Sequence, residues 1–484
     1  METPVVGSGA TVAVPVMPLP PQRVVLPQSS CFFQTTFPVA ASSAYSMPVR
    51  EPMKTRPPAT VGLASKRGPC APAWVAGPAT QAGAQGPRFD ASPTVSGGMV
   101  FIGSRTGIEY ALNATTGKVV WKKQLDWGSN TLCGGKGITG TATVAPDPST
   151  GVSTVYAAGA HYLYALNAST GAQKWKRAIG PATADGEARY YNWSSPTVVG
   201  GRIYMGLASN CDDMKVRGGV VQLNQHSGKV LHTYYAVPTG HIGPSVWSSM
   251  AGDGTSVWVS TGNPDPSETT IYDADSIVRL SASTLAKQDI WTTSTPPGQD
   301  LDFGSSPTFF TGTVGGVSTD LIGACNKNGV YYALRRMNLA AGPVWQRQVG
   351  QSGGTGDGAC ITSAAYDGPG STLFVAANQT TVGGSAVQGS VSALDPSTGA
   401  LKWQQPLACL PNGSPTLNAT THVLAVPMYG CVGTDVPGVA LMNSQTGAPL
   451  RVINTPGKVF SQPVFANGKL LVADESGVLT AYGP

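Results

Sequence analysis

A twelve-residue segment, YALNATTGKVVW from Tyr110 to Trp121, recurs along this chain and limits what it can fold into. Tyr110, Ala111 and Leu112 form a short apolar run suited to a strand. Thr116 and Gly117 supply a turn in which glycine takes positive φ, and Val119 to Trp121 begin the return strand. The segment therefore predicts a β-hairpin. It returns as YALNASTGAQKW at Tyr164, VQLNQHSGKVLH at Val221 and SALDPSTGALKW at Ser392, with looser copies before Trp291, before Trp345 and at Val439, and a clipped one ending in Pro484. With the central Leu as register mark the copies fall at 112, 166, 223, 280, 334, 394 and 441, and Tyr482 is the eighth. Spacings of 41 to 60 residues, with strand and turn signals inside each unit, point to propeller blades rather than a helical solenoid.

Each unit also carries a first strand, as in ASPTV at Ala91, SSPTVV at Ser194, GSSPTFF at Gly304 and GSPTL at Gly413. A second follows, as in GGMVFIGS at Gly97 and STLFVAAN at Ser371. With the hairpin that makes four strands per unit, and eight such units predict an all-β, eight-bladed β-propeller spanning 69–484. A single ring overrides the two to four domains that 484 residues would otherwise suggest. Abundant glycine (61 residues), sparse charge (11%) and the lack of a long amphipathic period suit short strands joined by tight turns.

Residues 1–68 read as a separate extension, rich in Pro, Ser, Val and Ala without periodicity. They lack the charged start, apolar run and small-residue cleavage site of a secretory signal. A disordered tail, a misplaced start or an organelle transit peptide are the readings open for them, and an acid-poor stretch with Ser and Arg resembles the last. Compartment stays undetermined. This extension carries a net charge of +4 and the remainder +1. A nearly neutral propeller argues against a nucleic-acid partner, because phosphate binding needs clustered Lys and Arg. No apolar run is long enough for a membrane helix. The eight cysteines form neither CxxC nor CxxCH, which leaves zinc fingers and covalent haem unsupported; Cys409 and Cys431 flank one strand and are candidates to pair if the protein is exported, though connectivity is not readable from the sequence.

The last repeat stops at Tyr482 without its partner strand, and an open edge has to be covered. APAWVAGPAT lies just ahead of the first blade, with Trp74 where the hairpin Trp stands elsewhere. Residues near Trp74 are therefore expected to pair with Val478 to Tyr482 and close the ring.

Ala111, Asn113, Gly117 and Trp121 resemble the A-x-D-x-x-x-G-x-x-x-W tryptophan-docking pattern of the pyrroloquinoline quinone (PQQ) repeat, and Ala393, Asp395, Gly399 and Trp403 match it with the Asp intact. The resemblance covers about residues 74–484. Where the repeats deviate, they are similar to quinoprotein alcohol dehydrogenases, and closest to the polyvinyl-alcohol dehydrogenase branch through the run DFGSSP from Asp302 to Pro307. Blade three inserts SNCDDMKVRGG from Ser209, where the family places a calcium-binding acid; the match is Asp213, with Asp212 a register-shifted rival. GPSVWSS and TGNP imply Trp247 as the floor beneath the quinone and Asn263 as a calcium ligand. DLDFGSSP and NKNG imply Asp302 as the catalytic base and Lys327 as the contact to the quinone oxygens.

The chemistry accounts for these residue types. Calcium takes carboxylate and amide oxygens, a carboxylate can remove the alcohol proton as hydride passes to the cofactor, and Trp stacks on a flat ring. Taken singly, each residue also reads as a turn, a loop cap or a packing residue, so their joint order carries the implication. The resemblance thus implies PQQ- and calcium-dependent oxidation of an alcohol or polyol, with electrons leaving to a separate acceptor. The rival is a non-catalytic propeller that binds protein or glycan through its loops, as the outer-membrane assembly lipoprotein does. Four departures stand against the enzyme: the family's vicinal cysteine pair is absent, Asp213 replaces a Glu, His232 replaces the docking Trp of blade three, and the blades across the ring offer no matched cofactor contact.

Overall fold

The computed structural model describes residues 72–77, 88–128, 137–181, 189–210, 216–294, 299–351, 358–433 and 435–483. They form eight antiparallel sheets, one per repeat, seven four-stranded and one five-stranded. Blade one runs Thr94–Ser96, Met99–Gly103, Ile108–Asn113 and Val119–Gln124 in spatial order. Blade three adds Tyr190–Tyr191, which pairs with Arg202–Ser209. In blade eight, Pro72–Ala76 pairs with Leu479–Tyr482, so the two ends of the ring share one sheet. The stretch Thr381 to Gly389 is a hairpin extension of blade six, since Asn378 pairs with Gly389 and Val382 with Ser385. In blade seven the repeat mark is Met442: the bulge between Ala111 and Leu112 recurs between Leu441 and Met442.

The repeated motif works between blades. Trp121 of blade one donates its indole N–H to Ala168 O of blade two at 2.8 Å, Trp345 donates to Pro396 O at 2.9 Å, Trp403 to Ser444 O at 3.2 Å and Trp74 to Ala114 O at 3.1 Å. Each ring lies on the glycine of the receiving turn. A Cβ on Gly117 would sit 2.5 Å from the Trp74 ring, and its φ of +70° independently excludes most side chains. Asn113 makes the turn itself, with Oδ1 accepting from the N–H groups of Thr115 and Thr116.

Blade three lacks the Trp, and its neighbours compensate. His232 holds the Trp register opposite Gln222, and the Gln222 amide and Tyr204 hydroxyl both donate to Ala282 O at 2.6 Å, the carbonyl an indole would otherwise reach. The glycine that would receive the ring is replaced by Leu285, buried among Tyr204, Val220 and Val257 despite a φ of +57°.

The SPT signature of the first strands also has an inter-blade role. The amide of the residue at the Ser position donates to the hydroxyl of the equivalent residue one blade on: Ser92 to Thr141, Thr141 to Ser195, Ser195 to Ser249, Ser249 to Ser306, Ser306 to Ser363 and Ser363 to Ser414, each at 2.9 to 3.0 Å. Gln462 N donates to Ser92 Oγ at 2.9 Å and rejoins the circle, while its side-chain amide turns to Pro415 O. The following Thr donates outward to the next blade, as Thr94 does to Ala142 O and Thr143 to Pro196 O.

Apolar residues pack between consecutive sheets, for example Phe101, Ala111 and Trp121 against Val155, Ala157 and Leu166. One position breaks the rule. The third-strand residue paired with the end of the second strand is Leu163, Val220, Ile277, Tyr331, Val391, Val439 or Leu479 in seven blades, all fully buried, whereas blade one places Glu109 there, equally buried.

Candidate functional site

The blades surround a central cavity of about 1600 Å³. Two residues ahead of each hydroxyl-ring position the chain contributes one residue to the cavity wall: Asp90, Thr139, Trp193, Trp247, Gly304, Ile361, Asn412 and Phe460. A second contribution comes from the loop after each blade's second strand. Its backbone amide bonds to the segment leading into the first strand, as Lys327 N does to Asp302 O at 3.0 Å, and Arg105 N to Arg88 O and Glu475 N to Lys458 O at 2.9 Å. The side chains of Asp302 and Lys327 are thereby fixed beside one another.

The structure brings together four of the residues implied by sequence. Trp247 donates its indole N–H to Asp302 Oδ2 at 2.7 Å, and Lys327 Nζ stands 2.8 Å from Asp302 Oδ1 and 2.7 Å from Asp300 Oδ1. Asn263 donates its amide to Asp300 Oδ1 at 2.8 Å, and its oxygen accepts from Leu301 N at 3.2 Å. Asp213 and its rival Asp212 lie outside the described residues. Trp247 owes its place to a missing side chain opposite, since a Cβ on Gly304 would fall 2.5 Å from the indole. Lys327 is held from behind by the disulfide between Cys325 and Cys360, and Ala359 N donates to Lys327 O at 3.0 Å. A second disulfide joins Cys409 and Cys431.

Burial decides the electrostatics. Asp302 is 6% exposed, and removal from water pushes its carboxyl above the ordinary carboxylate value, against the pull of Lys327 and with a push from Asp300. Burial works against the Lys327 charge too, but Asp302 and Asp300 outweigh it and raise its pKa. The outcome is a desolvated carboxylate and ammonium side by side in the cavity wall, with a more exposed carboxylate, Asp300, next to them.

Asp300 and Trp193 are members of this wall that sequence reasoning did not single out. Asp300 sits two residues before Asp302, and its role depends on the reach of Lys327 and Asn263 across two blades. Trp193 was legible in principle, because aligning the repeats on the Ser of SPT puts it in the same column as Trp247. Across the ring stands a second set of charged groups from blades one and eight, Arg88, Asp90, Arg105 and Glu475, which no sequence motif groups together.

Among the described residues, no group of three or more His, Cys, Asp or Glu side chains is gathered in the manner of a metal site. The oxygens close to Lys327 are those of Asp300 and Asp302, and Asn263, bonded to Asp300, adds an amide oxygen; all are hard donors. Calcium takes about six to eight such oxygens, so this donor set fits a dication that draws further ligands from a bound cofactor. The Trp247 indole on the wall, with an ammonium over its ring at 5.4 Å, likewise fits a flat, anionic quinone.

Comparisons with known proteins agree with this architecture. A PQQ-repeat family model, described as outer membrane protein assembly factor BamB, matches residues 71–248, 126–364 and 387–483. A polyvinylalcohol dehydrogenase from Sphingopyxis sp. (strain 113P3) is 25% identical over 323 residues, 57% of this chain and 46% of that protein, so the chain spans less than half of that relative's length. Among solved structures, a quinohemoprotein alcohol dehydrogenase from Comamonas testosteroni superposes with a TM-score of 0.66 at 15% identity, covering 86% of this chain and 77% of that one. BamB from Moraxella catarrhalis superposes with a TM-score of 0.52 at 18% identity, covering 82% and 94%. At these identities the structures share the fold. The repeats, their docking contacts and the family match together make this chain a member of the PQQ-repeat family of β-propellers.

Proposed function

We propose that this chain oxidises a hydroxyl group with PQQ and a divalent cation, calcium by the chemistry of the donors. One observation carries the reading: a buried carboxylate, Asp302, opens on the central cavity with Trp247 N–H on one oxygen and Lys327 on the other. A structural ion pair has no need of a cavity wall or of an indole fixing one carboxylate oxygen, whereas a general base needs both orientation and a raised pKa.

Asp302 accepts the hydroxyl proton. Its burial makes it more basic than a solvated Asp, and the Trp247 N–H holds Oδ2 so that the carboxylate cannot rotate away. Lys327 keeps the carboxylate ionised before the proton arrives and balances the charge on that wall. In this reading Asn263 and Asp300 would hold the cation through their oxygens, and Trp247 and Lys327 would hold the quinone. The bound quinone supplies the hydride acceptor.

The test is reconstitution with PQQ and calcium followed by dye-linked oxidation of an alcohol series. Asp302→Asn keeps the shape and the Trp247 contact but removes the base. It is expected to lower kcat by at least about 100-fold, in line with the usual contribution of a positioned base, while the circular dichroism spectrum stays unchanged. Activity retained in Asp302→Asn refutes the assignment. A second reading has its own support, since the family model carries the description of an assembly factor and BamB shares the fold: the ring acts as a cofactor-free scaffold. Failure of PQQ to bind at micromolar concentration in the presence of calcium favours that reading.

A further inference from the structure

The charged set across the ring from Asp302 is built on the same two positions per blade. Arg88 and Arg105 occupy in blade one the places of Asp302 and Lys327, and Lys458 and Glu475 occupy them in blade eight, each pair joined by the same backbone bond. Here the side chains alternate in sign along the wall. Glu475 Oε1 is 2.5 Å from Arg88 Nη2, Arg88 Nε donates to Asp90 Oδ1 at 2.8 Å, and Arg105 Nη1 lies 2.6 Å from Asp90 Oδ2. Beside them Tyr429 and Phe460 meet edge to face with centroids 5.7 Å apart, and both line the cavity.

Arg88, Arg105, Asp90 and Glu475 are paired among themselves, and Lys458, outside these pairs, holds its Nζ 5.0 Å from the centre of the Tyr429 ring, so the set carries one positive charge in excess and little net field beyond it. It offers instead a strip of alternating acceptors and donors. A guanidinium has five N–H groups, and Arg88, at 40% side-chain exposure, directs only part of its fork at Asp90 and Glu475. Planar forks and carboxylates spaced in this way match neighbouring hydroxyls, which both donate and accept. An aromatic ring next to the strip suits a ligand with one face of C–H groups. Vicinal hydroxyls on a ring with an apolar face are the chemistry of a neutral saccharide.

We propose that Arg88, Asp90 and Glu475 with Tyr429 and Phe460 form a binding subsite for a neutral saccharide, on the opposite side of the channel from Asp302. The site requires no cofactor and does not depend on the oxidation reading. A flexible polyol with alternate hydroxyls lacks the rigid apolar face, and an acidic sugar would meet a single excess positive charge, at Lys458, while its own carboxylates face Asp90 and Glu475 along the strip.

The test is calorimetric titration of the full chain, free of PQQ and metal, with neutral hexasaccharides (cellohexaose, maltohexaose, xylohexaose and mannohexaose), a galacturonic acid hexamer and a short poly(vinyl alcohol). At least one neutral hexasaccharide is expected to bind. Arg88→Ala and Phe460→Ala are each expected to weaken it 10-fold or more, and Asp302→Asn to leave it within 2-fold. Arg88 is the most exposed member, so its variant serves even where Phe460→Ala lowers the melting temperature. The proposal is overturned when no neutral probe binds, when binding is unchanged in both variants, or when only the acidic or the poly(vinyl alcohol) probe binds. Because these titrations read binding without turnover, saccharide binding alongside absent alcohol oxidation would remove the enzymatic proposal and leave the subsite standing.

Discussion

Glu109 offers the most direct test of how this ring is held together. Both of its carboxylate oxygens are buried without a hydrogen-bond partner, at a position that is aliphatic in six other blades and Tyr331 in the seventh. Burial alone pushes its pKa from 4.5 up to about 8. The folded chain therefore holds this carboxyl protonated at neutral pH, while the unfolded chain releases the proton above about pH 4.5. The unfolded state then binds fewer protons, so stability is intact below pH 4.5 and falls as pH rises toward 8, at a limiting slope of about 1.4 kcal/mol per pH unit. At pH 7 this amounts to about 3 kcal/mol, a large share of a typical folding free energy. Glu109→Leu, which restores the residue type of blade two, is expected to be more stable than the parent by about that much at pH 7. Urea unfolding of both proteins at pH 5, 6, 7 and 8 cancels the titration of all other groups in the difference. The gap should widen by about 2 to 3 kcal/mol from pH 5 to 7. A gap that stays constant over this range, or a less stable leucine variant, would falsify the assignment of a neutral buried carboxyl.

Two further substitutions probe the joints of the ring. His232→Trp alone should destabilise, since Ala282 O already accepts from Gln222 and Tyr204 and Leu285 fills the receiving turn; combined with Leu285→Gly it should recover at least about 1 kcal/mol, and strict additivity in denaturant unfolding would argue against a coupled replacement. Replacing Cys325 and Cys360 together by Ser removes a crosslink across 35 residues and should lower stability by about 4 kcal/mol, measured by urea unfolding under non-reducing conditions; equal stability of the two proteins would show that the staple behind Lys327 does not restrain the chain.

The fold was legible because docking and turn chemistry repeat in the sequence itself: Gly117, Gly171, Gly399 and Gly447 each receive a Trp from the preceding blade, and each announces its turn by a Thr-Gly pair. Register was less secure in blade seven, where Leu441 and Met442 are both apolar and only the bulge decides between them. The candidate site was legible where a residue lies within a recognisable run, as Asp302 does in DFGSSP and Lys327 in NKNG. Asp300 and the set around Arg88 were not, because their partners come from other blades: Asn263 reaches Asp300 across 37 residues and Glu475 reaches Arg88 through the closure of the ring. Sequons gave a further lesson. Asn192, Asn378 and Asn412 stand in Asn-x-Ser/Thr triplets yet are buried, with the first two donating to the carbonyls of Gly159 and Gly358.

The hydroxyl circle around the channel has a consequence for the order of assembly. Six of its bonds connect neighbours in sequence and can form as successive blades emerge, but the bond from Gln462 to Ser92 spans 370 residues, and Pro72–Ala76 finds its partner only in Leu479–Tyr482. Until that last strand has been synthesised, blade one presents a naked flank at Trp74's docking turn and blade eight has no fourth strand. The growing chain is thus an open arc with two sticky ends, and the slow, long-range event of its folding is the meeting of those ends. A nascent ring of this design is most exposed to self-association just before completion, and it is released from that hazard in a single step when the arc snaps shut.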